Sequence, residues 1–178
     1  MPKLKLLILD ANVVIYLQEK SLWRPLLERC EVYLSRLVAE HEVRYYHGTE
    51  WNEIIDLTPD IQARLVQVFD VPVASVRRFR AQFDLPYLGD LDDGEAESLA
   101  FLFEATDPYL ISSGDAIVYR ILGNLNRADA GLSLEEILQR IGLTRTDLAR
   151  QYRREFREAH TKTGQQDAIQ GCGHRQGK

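Results

Sequence analysis

The clearest hydrophobic pattern in the chain is a short apolar run from Leu6 to Val14, which carries Asp10 and, two residues later, Asn12. A run this short and this apolar is typical of a strand buried on both faces, and therefore of a parallel sheet covered by helices. Ligands of such sheets bind beyond the carboxyl ends of the strands, where Asp10 would lie. The alternative is that Asp10 only caps the next helix, a role that needs one acid.

Further apolar stretches alternate with helical patterns along the chain. The predicted elements are a short helix capped by Ser21, a strand over 31–34 ended by Ser35, a helix from Ser35 through Tyr46, a helix from Thr58 through Phe69, helices over 74–83 and 92–102, a strand over 109–112 and a helix over 115–122. This alternation of strands and helices predicts an α/β fold.

The C-terminal part predicts two more helices. Ser133 and Glu136 form a capping box for one that ends at Gly142, and residues 144–147 repeat the form for a final helix through Phe156. Beyond His160 the chain is rich in Gly, Gln and charge, which is typical of a disordered tail.

An alternative interpretation of the same segment is a DNA-binding helix-turn-helix over Ser133–Arg154, with Gly142 at the turn. Its second helix would carry four arginines, namely Arg145, Arg150, Arg153 and Arg154. A third packing helix is not evident in the sequence.

Composition limits the class of protein. The 178 residues, 45% of them hydrophobic, suffice for one domain with its own core. The sequence has no apolar run of membrane-spanning length and no leader pattern, so we expect a cytoplasmic protein without a membrane partner. Two cysteines, Cys30 and Cys172, support neither a disulfide framework nor a cysteine-rich zinc site.

Charge is unevenly distributed within the net value of −5. Residues 144–178 have eight basic and four acidic side chains, a balance of +4, so the remainder carries −9. Such an acidic body does not favour passive binding of nucleic acid. Arg77, Arg78 and Arg80 flank Phe79 and could grip a phosphate backbone, but a solvated helix face with Phe79 in the core explains the same pattern.

Acidic residues recur where predicted strands pass into helices. Asp10, the pair Glu40 and Glu42, and Asp115 occupy such positions, and Glu95 lies in the first turn of its own helix. If these carboxylates converge, their mutual repulsion favours a bound cation. Oxygen ligands without nearby His or Cys select Mg²⁺ or Mn²⁺ over Zn²⁺.

Four motifs in this order resemble those of the PIN domain family: Asp10-Ala-Asn, Ser35 before a Glu-bearing helix, Gly94-Glu95-Ala-Glu97-Ser-Leu-Ala, and Ser112-Ser113-Gly-Asp115. The resemblance covers roughly residues 4–143. It implies a three-layer α/β/α fold with a central parallel sheet, to which this chain adds C-terminal helices. We therefore predict a PIN-like domain over 1–143, a C-terminal helix over 144–160 and a disordered tail over 161–178.

The resemblance also implies a site. The metal-binding and catalytic acids would be Asp10, Glu42, Glu95 and Asp115, with Glu40 and Glu97 in reserve and with Asn12 and Ser113 as supporting residues. The usual interval of the family falls on His41, and Glu42 is preferred to Glu40 because an acid followed by valine fits the family pattern better.

Most PIN domains are metal-dependent ribonucleases, and many are toxins of toxin/antitoxin modules. The resemblance thus implies an Mg²⁺- or Mn²⁺-dependent endoribonuclease acting on single-stranded RNA, with an antitoxin protein and a second copy of the chain as candidate partners. The Arg77, Arg78 and Arg80 segment is the candidate RNA-binding rim. The alternative is a PIN-like or helix-turn-helix module that binds nucleic acid or protein without cleaving. A phosphohydrolase with Asp10 as nucleophile is disfavoured, because Asn12 stands where a second acid is needed.

Overall fold

The computed structural model describes residues 4–175, apart from the side chains of residues 5–7. Its strands are β1 (Leu4–Leu9), β2 (Cys30–Ser35), β3 (Tyr45–His47), β4 (Asn52–Ile54), β5 (Val66–Phe69) and β6 (Leu110–Ser112). Four of them form a parallel sheet in the order β5-β2-β1-β6. The other two, β3 and β4, form a separate antiparallel hairpin.

Helices cover the sheet. They are α1 (Ala11–Glu19), α2 (Trp23–Leu27), α3 (Thr58–Gln62), α4 (Val73–Arg80), α5 (Leu85–Asp90), α6 (Asp93–Glu104), α7 (Ala116–Asn124), α8 (Leu134–Arg140) and α9 (Arg154–Ile169). A π-helical turn spans Val38–Glu42, and 3₁₀ turns span Ala128–Ala130 and Arg150–Tyr152.

The core has two halves, one on each face of the sheet. Leu9 packs with α1, α2 and α8, whereas its neighbour Ile8 packs with helices α4 to α7. Successive side chains of a strand point to opposite faces, so both faces of β1 are buried. The predicted three-layer α/β/α fold with a parallel sheet is therefore confirmed. Within residues 4–175, no helix has the length and apolarity that a membrane crossing requires.

The structure corrects the helix predicted from Thr58 through Phe69. Helix α3 ends at Gln62, Arg64 adopts a positive φ of 57°, and the chain then enters β5. The apolar residues of this segment fit a helical period and a short strand equally well. Pairing with β2, in which Val66 lies opposite Val32, decides the outcome.

Two smaller predictions also differ from the structure, and one helix has no predicted counterpart. The helix from Ser35 through Tyr46 shrinks to the π-helical turn, because Tyr45 pairs with Ile54 in the hairpin. Ser21 does not cap α2, whose N-cap residue is Leu22, without a side-chain hydrogen bond. Helix α5 was not predicted, although Asp84 caps it through the Tyr87 amide.

The C-terminal part departs most from the prediction. No regular helix covers residues 144–153 apart from the 3₁₀ turn, and α9 runs on from Arg154 to Ile169. Residues 161–169 are thus helical rather than disordered, and the second helix of a helix-turn-helix does not form at 144–153. Residues 1–3 of the predicted domain and 176–178 of the predicted tail lie outside the described residues.

Helix α9 is held by contacts that hydrophobic periodicity does not reveal. It crosses α7 so closely that a Cβ on Gly164 would overlap the carbonyl oxygen of Arg120. Asp167 accepts hydrogen bonds from Arg120 Nε and from the Tyr87 hydroxyl, each at 2.6 Å. After α9, the Asp84 amide donates to the carbonyl oxygen of Gly173 at 2.8 Å. Backbone contact and polar side chains thus hold a segment whose composition predicted a disordered tail.

Candidate metal centre

The site lies where the order of the strands reverses. The chain moves from β1 outward to β2 and β5, and then crosses to β6 on the other side of β1. Asp10 directly follows β1, and its amide donates to the carbonyl oxygen of Ser112, the last residue of β6, at 3.1 Å. The carboxyl ends of β1 and β6 thus form a crevice of the kind in which parallel sheets bind ligands. Asp115 follows β6 in the chain and lies at this same edge.

Glu95 reaches the same place from the start of α6. The Asp92 carboxylate accepts a hydrogen bond from the Glu95 amide at 2.7 Å, and Glu95 Oε2 accepts one from the Asp92 amide at 3.2 Å. This capping box fixes the Glu95 side chain, which is only 2% exposed. The other carboxylate oxygen, Oε1, is buried and accepts no hydrogen bond from any described residue. A buried carboxylate oxygen without a donor is costly unless a cation or proton meets it.

Asp10, Glu95 and Asp115, hereafter the acidic triad, come together in space. One carboxylate oxygen from each lies within 4.8 Å of the others. Asp10 and Glu95 are buried and Asp115 is exposed, so the cluster opens to solvent on the side of Asp115. This acidic triad could hold a metal ion.

Ser113 and Asn12 fix the two aspartates of the triad. The Ser113 hydroxyl donates to Asp10 Oδ2 at 2.9 Å and accepts from the Asp115 amide at 2.9 Å. Asn12 donates through Nδ2 to Asp115 and accepts through Oδ1 from the Gly114 amide. Both residues therefore contact the aspartates of the triad directly.

Burial sets the electrostatics of the site. It raises the pKa of Asp10 to about 7, against the hydrogen bonds from Ser113 and the Ala11 amide. Burial, followed by repulsion from Asp10, raises the pKa of Glu95 to about 9. The pKa of Asp115 also rises, mainly through burial. In the absence of a cation the triad therefore resists full ionisation.

The other candidate acids lie outside the triad. Glu42 packs against Gly94, where a Cβ would overlap its carboxylate, and burial raises its pKa. Glu40 is bound by Arg36 at 2.6 Å and is exposed. Glu97 accepts a hydrogen bond from the Leu37 amide at 3.3 Å, at the start of the π-helical turn. Glu42 thus contacts Gly94, which directly precedes Glu95, whereas Glu40 is bound by Arg36.

The proposed arginine rim on α4 is partly engaged in ion pairs. Arg78 binds Glu104 at 3.1 Å, and Arg80 binds Asp93 at 2.7 Å. Arg77 lies on the same helix. Phe79 is buried in the core, as the alternative interpretation of this segment expected.

Sequence reasoning missed Tyr152 at the edge of the site. Its hydroxyl donates to the carbonyl oxygen of Asn12 at 3.1 Å, and its ring stacks on Tyr16 with centroids 4.2 Å apart. Only the path of the chain after α8 brings this tyrosine back to α1. Its spacing from the acidic motifs carries no signal that would have found it.

No model of a protein family, no curated protein and no solved structure matches this chain. The PIN resemblance therefore stays a prediction based on the acidic motifs, and the chemistry of the site depends on the residues described above.

Proposed function

We propose that this protein is a metal-dependent endoribonuclease that hydrolyses phosphodiester bonds of single-stranded RNA at the acidic triad. The observation that carries the proposal is Glu95 Oε1, a buried carboxylate oxygen without a hydrogen-bond donor that belongs to a cluster of three carboxylates. If Glu95 only formed a structural ion pair, an arginine or lysine would lie beside Oε1. If Glu95 only capped α6, its Oε2 atom alone would suffice.

The donor set fits Mg²⁺ or Mn²⁺. All three ligand groups are carboxylates, and hard oxygen donors without imidazole or thiolate suit these ions rather than Zn²⁺. When bound, such an ion polarises a phosphoryl oxygen and lowers the pKa of an attacking water.

The residues of the chain would orient the ligands and leave room for the substrate. Ser113 holds Asp10 and the Asp115 amide together, so the two aspartates keep a fixed separation. Exposed Asp115 leaves one side of the triad open, where a phosphodiester can approach. Glu42 is the fourth acid of the proposal, because it lies against Gly94 next to Glu95.

The choice of RNA, and a toxin role with an antitoxin partner, follow from the PIN resemblance. The acidic motifs that carry it supply the members of the triad, which supports extending the resemblance to activity. The rival function is a module that binds RNA without cleaving it.

The test is cleavage of a 5′-labelled single-stranded RNA by the purified full chain in Mn²⁺, in Mg²⁺ and in EDTA. We expect cleavage with either ion and none in EDTA. Asp10→Asn and Asp115→Asn should each lower the rate by more than about 100-fold, since loss of a ligand should exceed the effect of losing a ligand's supporting hydrogen bond. Asp147→Asn is the matched control, because it removes one exposed aspartate that forms its ion pair with Arg145.

Two results would overturn the proposal. Calorimetric titration that detects no Mn²⁺ binding by the wild type would exclude the metal centre. RNA binding without cleavage in any of the three conditions would assign the chain to the non-catalytic class.

A further inference from the structure

A second feature next to the acidic triad is a groove between the 3₁₀ turn Arg150–Tyr152 and the first turns of α9. It encloses about 580 Å³, and Arg150, Arg153, Phe156 and His160 are among the residues that line it. We call it the α9 groove. Both arginines are exposed, and the two aromatic side chains are half-buried.

The two arginines of the α9 groove differ from their neighbours in the chain. Arg154 and Arg157 both bind the Glu136 carboxylate, Arg157 at 2.6 Å. Among residues 4–175, by contrast, no acid forms an ion pair with Arg150 or Arg153. The Arg153 side chain donates from Nε to the carbonyl oxygen of Leu148 at 2.8 Å, which orients its guanidinium group, and within residues 4–175 its terminal nitrogens meet no acid.

The 3₁₀ turn that lines the groove is connected to the triad through two side chains, Tyr152 and Asn12. Tyr152, which stands between the two arginines in sequence, bonds to the carbonyl oxygen of Asn12. Its ring also fills the space in front of Gly114, where a Cβ would come within 2.9 Å of the ring. Asn12 in turn donates to Asp115, the exposed member of the triad. Tyr152 and Asn12 therefore fix the position of the turn that carries Arg150 relative to Asp115.

The floor of the groove offers apolar and aromatic surface. The rings of Phe156 and His160 lie 4.4 Å apart in an edge-to-face arrangement. Glu155 also lines the groove, so its lining has two arginines against one acid. Cationic side chains beside aromatic rings are the combination by which proteins hold single-stranded nucleic acid.

We infer that the α9 groove binds the phosphate backbone of single-stranded RNA on one side of the phosphodiester that the triad cleaves, with Arg150 and Arg153 each contacting a phosphate. This inference rests on the proposed function and deepens it. The α9 groove replaces Arg78 and Arg80 as the main RNA contact, because both are already engaged with acids.

Salt dependence of RNA binding measures the phosphate contacts directly. Each phosphate neutralised on a single strand contributes about 0.7 to the slope of log affinity against log salt. The double variant Arg150→Gln/Arg153→Gln should therefore reduce the slope by about 1.4. Fluorescence anisotropy with a labelled single-stranded RNA in EDTA gives the slope without cleavage. Arg150→Lys/Arg153→Lys keeps the charges and should restore most of the slope even though the guanidinium groups are gone.

The control is Arg29→Gln/Arg64→Gln, which removes two exposed arginines. They precede β2 and β5, at the amino ends of the strands and opposite the triad. This variant should keep the slope of the wild type. Thermal unfolding of all three variants shows whether any change in slope comes from loss of folded protein.

The outcomes separate the groove from the proposed function. If the wild type cleaves RNA and the Arg150→Gln/Arg153→Gln variant keeps its slope, or the control loses as much, the inference about the groove is wrong and the proposed function stands. If the wild type neither binds nor cleaves RNA, both are wrong.

Discussion

Replacing Asp10 with asparagine removes one charge from the acidic triad while keeping the shape of the side chain. Asp10 is 4% exposed, and burial raises its pKa from 3.8 to about 7 in the folded chain. The unfolded chain therefore releases this proton at lower pH than the folded chain does. Over that range the folded state binds more protons, so the free energy of unfolding of the metal-free wild type falls as pH rises from about 4 to about 7.

The size of this loss follows from the same pKa values. One pKa unit corresponds to about 1.4 kcal/mol, so the rise from 3.8 to about 7 costs about 4 kcal/mol once Asp10 is fully ionised. At pH 5 part of this loss has already occurred. Between pH 5 and pH 8 the wild type loses roughly 2 to 3 kcal/mol more of its free energy of unfolding. Asparagine carries no charge at any of these pH values. It loses the hydrogen bond that Ser113 donates to the neutral carboxyl group, a cost of about 1 kcal/mol that does not vary with pH; the extra strength of this bond to the ionised carboxylate is already contained in the pKa of Asp10.

Urea denaturation in EDTA at pH 5 and pH 8 measures the effect. The difference in free energy of unfolding, variant minus wild type, should rise by about 2 to 3 kcal/mol between the two pH values, so that Asp10→Asn is the more stable protein at pH 8. Asp147→Asn is the control: Arg145 lowers the pKa of Asp147 to about 2, so its charge is constant over this range. A difference for Asp10→Asn that is the same at both pH values would refute the reasoning.

Three further predictions test the ligands and the packing of α9. In Mn²⁺, Glu95→Gln should lose most of the increase in Tm that the wild type shows, because it removes a negative ligand of the triad; equal increases would argue against the site. Glu42→Gln should lower the rate of RNA cleavage more than Glu40→Gln does, because Arg36 already binds Glu40. The reverse order would mean that the fourth acid is misassigned. Gly164→Ala should lower the free energy of unfolding by about 1 to 3 kcal/mol, because its Cβ would meet the backbone of α7. Gly89→Ala is the control in the same urea titrations: its Cβ position has open space, so this variant should raise the free energy of unfolding by about 0.4 to 1 kcal/mol. A Gly164→Ala chain as stable as the wild type would contradict the close contact of α9 and α7.

The sequence by itself determined the elements whose signals are local. The apolar run before Asp10 predicted β1, because a strand buried on both faces needs continuous apolar residues. The capping box of Ser133 with Glu136 forms at the helix start where the spacing placed it, whereas no helix starts at residues 144–147, where the same form was predicted. The hydrogen bonds of the Ser133 box join residues three apart and need no distant partner. The candidate acids were equally visible, since each follows a strand or opens a helix.

Tertiary structure decided whatever depends on a partner far along the chain. Residues 66–69 became β5 through pairing with β2, and α9 is held by its backbone contact with α7 at Gly164 together with the hydrogen bonds of Asp167. The same holds for the site. The sequence offered several acids, but the reversal of strand order between β1 and β6 selects Asp10 and Asp115, and the capping box turns Glu95 toward them. Hydrophobic period and residue spacing describe neighbours within a few residues, whereas the contacts of the site join segments as far apart in sequence as Asp10 and Ser113, which are 103 residues apart.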